Sequence, residues 1–459
     1  MHDEHPRWLY VCFPAVAMLL GWGLRGYIGG GPFGAMIPGA FVALCISLLL
    51  GHRAEVAAVV ALFGAIGIGY GGDMTYGQTL GLAQGEGAMV WGMLGVTVKG
   101  AVWGLLGGAV LGIGLTRDVY TRRQLLAGLL LSLLGFYLGW KLINEPRLIY
   151  FSDPVNKPRE ESWAGLLAAA LALLAWERHA RPQGAPGVPA RFALLGMLGG
   201  GLGFGLGTLW LVFGPKNVYI GWWKMMEFSF GLIFGGFLGY AAWTQREHLV
   251  SGAAPLSPVR DPWWPVAALF ALIAGFFLAP QFLSEAFPAT GTVRALVLGD
   301  LLRVVFSFIF FGAVCIALGI NSTGAAWHIA LTITFFHTVF DLSGDLVEHN
   351  GFTLGAAAQV LVIALATGGF AFLVERLRKG SAPVQSLFLL VMWACYGTAC
   401  FKSFFHREYL FPEPGAPGFV GALMDKEPGI LFVHGTFTIS LLITTYFIVR
   451  RFSLAPDSK

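Results

Sequence analysis

Apolar runs long enough to cross a lipid bilayer recur from one end of this chain to the other. A helix spans about 30 Å of hydrocarbon with roughly 20 residues. On that yardstick the runs near 8–24, 34–51, 56–72, 88–115, 124–143, 163–176, 192–213, 222–243, 264–280, 294–319, 325–341, 353–374, 384–401 and 430–449 each predict a crossing. One soluble core cannot absorb so many. Of the 459 residues 56% are hydrophobic, 64 are glycine and only 12% are charged, about half the charge of an ordinary soluble domain. The sequence predicts an all-α, polytopic integral membrane protein with about 14 transmembrane helices.

The formal charge of +4 is scattered over short loops and gives no support to a nucleic-acid partner. The lipid bilayer is the partner that the composition requires. Five cysteines (Cys12, Cys45, Cys315, Cys395, Cys400) all sit inside apolar runs with no C-x-x-C, which argues against a disulfide framework or zinc ribbon. Placing the termini and every second loop on one side collects 16 of the 29 basic residues there, with nine of the 25 acidic ones. The positive-inside rule assigns that side, and both termini, to the cytoplasm. The expected location is the cytoplasmic membrane of a bacterial cell.

Four spans of the first half end in glycine-rich steps beginning at Gly21, Gly67, Gly135 and Gly203, spacings of 46, 68 and 68 residues. That spacing predicts a helical hairpin used four times. Two returning helices carry matching ridges, Gly104, Gly108, Gly112 and Gly231, Gly235, Gly239, which let backbones pack closely inside a bilayer. The first step, Gly21-Trp22-Gly23-Leu24-Arg25-Gly26, spells G-x-G-x-x-G. It lacks the preceding strand that a dinucleotide fingerprint needs, so we read it as a helix end that can unwind. The chain divides as residues 1–250, eight helices in four glycine-rich hairpins, a cytoplasmic linker at 251–265, and residues 266–459, six helices with a His/Asp-rich outer face.

A charge near the bilayer centre costs about 2.5–3.5 kcal/mol on insertion scales, several times the gain from one leucine. Ionisable residues inside these runs are therefore the candidates for substrate or ion binding. They are Arg25, Asp73, Glu86, Lys99, Lys224, Glu227, Asp300, Arg303, His337, Asp341, Asp345 and His434. Lys224 with Glu227 and Asp300 with Arg303 are spaced i,i+3, on shared helix faces. Lys99 lies deep in its span and calls for a carboxylate from elsewhere, Asp73 or Glu86 being nearest in sequence. His337, Asp341 and Asp345 follow at i, i+4, i+8, along one face. With His349 they are candidate metal ligands, though H-E-x-x-H is absent. The outer loop 144–162 is charged and stiffened by three prolines, as a lid over an outer vestibule would be. The outer-end aromatics Trp22, Tyr27, Tyr70, Tyr76, Trp91, Trp140, Trp222 and Trp223 read as an interfacial belt.

No P-loop is present and the cytoplasmic loops are too short for a nucleotide-binding domain. The expected function is a transporter or flippase for a polar or amphipathic small-molecule or lipid-linked substrate, with H+ or Na+ as coupling ion and a site open to the extracytoplasmic side. The alternative is an integral membrane hydrolase or transferase with an acid/base or metal site on that side, acting on a lipid-linked or glycan substrate.

Overall fold

The computed structural model describes residues 5–85, 87–154, 158–215, 219–250, 262–286, 299, 302, 304–411, 418–426 and 428–452. Among these residues the structure is 82% helix without strands, and eleven helices are long and apolar enough to cross a membrane. The first half comprises α1 (Arg7–Ile28), α2 (Gly31–Leu49), α3 (Ala54–Tyr70), the short α4 (Gly77–Ala83), α5 (Met89–Leu115), α6 (Arg122–Gly139), α7 (Trp163–Ala180), α8 (Val188–Phe213) and α9 (Trp222–Val250). Next comes α10 (Trp264–Ala286). Helices Phe308–Gly319, Thr323–Glu348, Ala356–Leu377, Pro383–Phe404 and Ile430–Arg451 then complete the set. Of the expected crossings, 163–176 corresponds to α7 and 264–280 to α10, whose apolar stretch is Trp264–Phe277, and the end of 294–319 to the shorter helix Phe308–Gly319, while 294–298, 300, 301 and 303 lie outside the described residues.

Local chemistry sets several helix ends. Thr121 and Gln124 form a reciprocal capping box at the start of α6, satisfying two donors that the first turn leaves open. Pro32 sits in the first turn of α2, where its fixed φ suits a helix and its missing N–H is no loss. Between α1 and α2 the chain reverses at residues 29–31, and Gly31 takes φ +63°, a conformation that a side chain would strain. Helix Thr323–Glu348 contains one wide π turn, His328–Ile333.

Glycine governs how the first half packs. A Cβ at Gly104 of α5 would collide with the Gly196 carbonyl of α8, and one at Gly108 with the Phe192 carbonyl. The second ridge works the same way on another partner: Gly231, Gly235 and Gly239 of α9 lie against the carbonyls of Met18, Pro14 and Tyr10 of α1. Gly203 of α8 lies on Phe230 of α9, so α5, α8, α9 and α1 form a continuous row. Such approach maximises dispersion contacts where lipid and protein are equally apolar.

Trp22, Trp103, Phe204 and Phe230 fill the middle of that row and are fully buried. Phe204 and Phe230 stack at 3.8 Å between centroids, and Trp22 meets Phe230 edge-on at 4.2 Å. The expected aromatic belt needs correction here: Trp22, Tyr70, Tyr76 and Trp140 are buried in protein, while Trp91 and Trp223 are exposed. A wide ring between two glycines fills the gap that glycine packing leaves, which the belt reading overlooked. Helices α6 and Ala356–Leu377 expose apolar side chains such as Leu130, Leu134, Leu361 and Leu365, as lipid-facing surfaces do.

The loop between α2 and α3 holds His52, whose burial pushes its imidazole down to about 4 against a smaller opposing effect from the Leu249 backbone. A histidine kept neutral in the fold contributes stability that is present above its ordinary value of 6.5 and is lost as pH falls from there toward 4. Thermal unfolding in detergent across that window is expected to lose part of its acid slope in His52→Gln. An unchanged slope would show that the group does not matter to folding.

Candidate functional site

The charged residues gather around the α1–α2 turn and the segment that follows α3. Arg25, on the last turn of α1, is 4% exposed. One of its Nη atoms donates to the Tyr76 hydroxyl, the other to the Gly31 carbonyl at 3.3 Å, and Nε has no partner. The guanidinium stands 5.1 Å from the Tyr76 ring centre, 5.7 Å from that of Trp103 and 5.8 Å from that of Trp22, favourable positions for a cation over π faces. Tyr76 passes the contact on, its hydroxyl donating to Glu227 Oε1 at 3.4 Å. Glu227 also accepts from Trp223 Nε1 at 3.0 Å and from Lys224 Nζ at 2.7 Å. Gly26 is needed beside it, because a Cβ there would strike the Glu227 carboxylate.

Lys99 forms a second cluster. It lies ten residues into α5, about 15 Å from the helix start, and is fully buried. Its partner is Glu161 at 2.7 Å, joined by the Thr79 hydroxyl at 2.8 Å and the Thr75 carbonyl. Asp73 does not take that role and instead offers its carbonyl to Ser162 at 2.7 Å; Glu86 lies outside the described residues. Glu161 accepts further bonds from the Phe151 N–H at 3.1 Å and the Ser152 hydroxyl at 2.7 Å. The charged loop 144–162 is thus pinned to α5 by a buried ion pair. Asp73, Glu160, Glu161, Ser162 and Trp140 line a cleft of about 360 Å³ beside it.

On the other flank, Asp341 Oδ2 accepts from the Gly30 N–H at 3.3 Å, just ahead of α2. His337 stands 3.8 Å from the other oxygen of Asp341 and stacks on Phe33 at 5.3 Å. Asp345 turns away to Lys402 and to His349 at 3.2 Å. His434 Nε2 is 2.6 Å from Ser403 Oγ, which is 2.6 Å from the Tyr27 hydroxyl. The ammonium groups of Lys224 and Lys402 lie 5.4 and 5.7 Å from the Tyr27 ring centre, so Tyr27 joins the Glu227 and Asp345 groups. Tyr27, Asp345, His349, Lys402 and Ser403 line a second cleft of about 270 Å³.

The structure therefore places Arg25, Lys224 and Glu227 in one cluster, Lys99 in a second, His337 and Asp341 at the turn at 29–31, and Asp345 and His434 beside Lys402, Ser403 and Tyr27. Asp300 and Arg303 lie outside the described residues, as does Glu86. The metal candidates were His337, Asp341, Asp345 and His349. Among the described residues no three His, Cys, Asp or Glu side chains are grouped to hold an ion, because Asp345 faces Lys402 instead of joining Asp341. The sequence reading does not count Tyr76, Glu161, Lys402 or Ser403 among the site residues: it takes Tyr76 for a belt aromatic and Glu161 for part of the charged loop. At the opposite end, His328 of the π turn pairs with Glu375 at 3.0 Å, and both line a cleft of about 390 Å³ with Arg378.

Tyr27→Phe removes the hydroxyl shared with Ser403 and keeps the ring. A loss of about 1 kcal/mol is expected, read as a small fall in the unfolding midpoint of the detergent-solubilised protein. A neutral result would mean that His434 and the Ala399 carbonyl satisfy Ser403 without it.

Comparison of the chain with models of known protein families, with curated proteins and with solved structures finds no match.

Proposed function

We propose that this multi-pass membrane protein is a transporter or flippase for a polar or amphipathic solute. In this reading it crosses a bacterial cytoplasmic membrane fourteen times, keeps both termini in the cytoplasm and uses H+ or Na+ as coupling ion. Its site opens to the extracytoplasmic side around the α1–α2 turn. The observation that supports it is the Arg25–Tyr76–Glu227–Lys224 cluster, drawn from α1, the segment before α4, and α9. A bilayer scaffold has no need of such a cluster, because apolar residues of the same volume are commonly as stable or more so. Intramembrane charges kept against that cost mark solute and ion pathways. The glycine turn that parts α1 from α2 beside them resembles the breaks in the discontinuous helices of secondary transporters, although the step at Gly21–Gly26 itself stays helical.

Reconstitution into proteoliposomes under an imposed pH or Na+ gradient tests the proposal. Gradient-dependent uptake of at least one solute from a panel of amphipathic anions and zwitterions is expected. Glu227→Gln keeps the shape and removes the charge, and is expected to slow uptake by at least about tenfold, a barrier change near 1.4 kcal/mol. A panel without gradient-sensitive uptake, or a Glu227→Gln protein as fast as wild type, overturns it.

One observation favours a second reading, an extracytoplasmic-facing hydrolase or transferase. Ser403 and His434 have the contact distance of a nucleophile and its base, and Ser403 borders the 270 Å³ cleft. We rank it second because Ser403 is 3% exposed and also bonds the Ala399 carbonyl at 3.0 Å. Covalent labelling of Ser403 by a fluorophosphonate, lost in His434→Ala, would reverse that order.

A further inference from the structure

The start of α2 is a helix N-terminus with no side-chain cap from its own N-cap residue, Gly30. The group that reaches it comes from far along the chain: Asp341, whose carboxylate accepts from the Gly30 N–H at 3.3 Å. Helix N-termini attract anions through oriented N–H groups and the helix dipole. Beside this turn lies Arg25, always charged, 4% exposed, with Nη2 on the Gly31 carbonyl and Nε unpartnered. Among the described residues it forms no ion pair. The nearest acid in its network, Glu227, is reached only through Tyr76 and is already held by Lys224 and Trp223. There is also room: a Cβ built at Gly30 or Gly31 would meet nothing within 4 Å. A buried guanidinium with no ion pair among the described residues thus borders a helix start that only a distant carboxylate reaches and that has room at Gly30 and Gly31.

We infer that the turn at residues 29–31 and Arg25 together seat a phosphate group of the solute, and that Asp341 is a resident competitor occupying the helix start while the seat is empty. The Asp341 carboxylate meets Gly30 and leaves Arg25 Nε without an acceptor. A tetrahedral phosphate has oxygens enough to accept from the backbone and from the guanidinium fork together, the pairing in which arginine outperforms lysine. Displaced from Gly30, Asp341 has His337 within 3.8 Å as its next partner. The inference deepens the transport reading by naming the solute's chemistry and rests on it only for what happens after binding.

The full-length protein in phosphatidylcholine nanodiscs is titrated with inorganic phosphate in one arm. In the other, phosphatidic acid is built into the disc at rising mole fraction, and the unfolding midpoint is read in both. A rise in the phosphate arm assigns a free phosphate solute, and a rise confined to the lipid arm assigns a lipid headgroup. Either supports the seat. Arg25→Gln is expected to weaken the response by about tenfold or more, and Arg25→Lys, which keeps the charge without the fork, by less. Asp341→Asn is expected to strengthen it several-fold by removing the competitor, a result that a merely structural Asp341 would not give. No response in either arm, an undiminished response in Arg25→Gln, or a weaker one in Asp341→Asn overturns the inference. Should Arg25→Gln not fold, Arg25→Lys and Asp341→Asn decide alone. Binding is read without a gradient, so phosphate binding without uptake sinks the transport reading and keeps the seat, whereas uptake without phosphate binding does the reverse.

Discussion

Replacing Lys99 with alanine is expected to destabilise the protein by about 3–5 kcal/mol, the range for breaking a buried ion pair from one side. Lys99 is fully buried and Glu161 is 2% exposed, so the change would orphan a largely desolvated carboxylate. Glu161→Ala is expected to be worse, since it leaves an ammonium with only Thr75 and Thr79 and frees the loop from α5. Lys99→Met combined with Glu161→Gln removes both charges together and is expected to recover more than half of the loss. Lys141→Ala supplies the scale for an exposed pair: its contact with Glu145, 2.8 Å long, is partly solvated at both ends and is worth about 0–1 kcal/mol. Unfolding midpoints in one detergent compare all four. A Lys99→Ala shift no larger than that of Lys141→Ala would mean that water enters the site.

The second large effect is steric. Gly104→Val is expected to cost about 3 kcal/mol or more, at or above the upper end of ordinary overpacking. Its Cβ would fall on the Gly196 carbonyl, and the relation is reciprocal, since a Cβ at Gly196 would fall on the Gly104 carbonyl. Neither backbone can yield without separating α5 from α8. Gly435→Val is the control, because a Cβ at Gly435 meets nothing within 4 Å. Both variants place a β-branched residue in a helix, so the difference between them isolates the crossing. Equal midpoints would show that the two helices pack loosely.

How much of this was legible in the sequence depended on the range of each interaction. The apolar runs announced helices because a bilayer forces backbone groups to bond within their own segment. The two glycine ridges were visible as i,i+4 repeats, yet the sequence could not say that one faces α8 and the other α1. Lys224–Glu227 was legible because three residues return to the same helix face. Lys99 announced that a carboxylate was missing, and proximity along the chain suggested Asp73 or Glu86. The true partner, Glu161, is 62 residues away, and only the fold brings it back. The His337–Asp341–Asp345 spacing suggested one shared face, but Asp341 meets Gly30 and Lys402 draws Asp345 to a different neighbour. Ser403 went unnoticed because a hydroxyl in an apolar run costs too little to advertise itself, and Tyr76 was read for its ring and not for its hydroxyl.

The wide turn at His328–Ile333 has a mechanical consequence. A π turn carries one residue more than its helix would otherwise need. Relaxing it to regular geometry would rotate everything beyond it by roughly 100°, with His328 and Glu375 as the fixed pivot. Asp341 would swing off the α2 start and Asp345 off Lys402 in a single motion, so one screw-like movement in this helix would release both outer contacts at once.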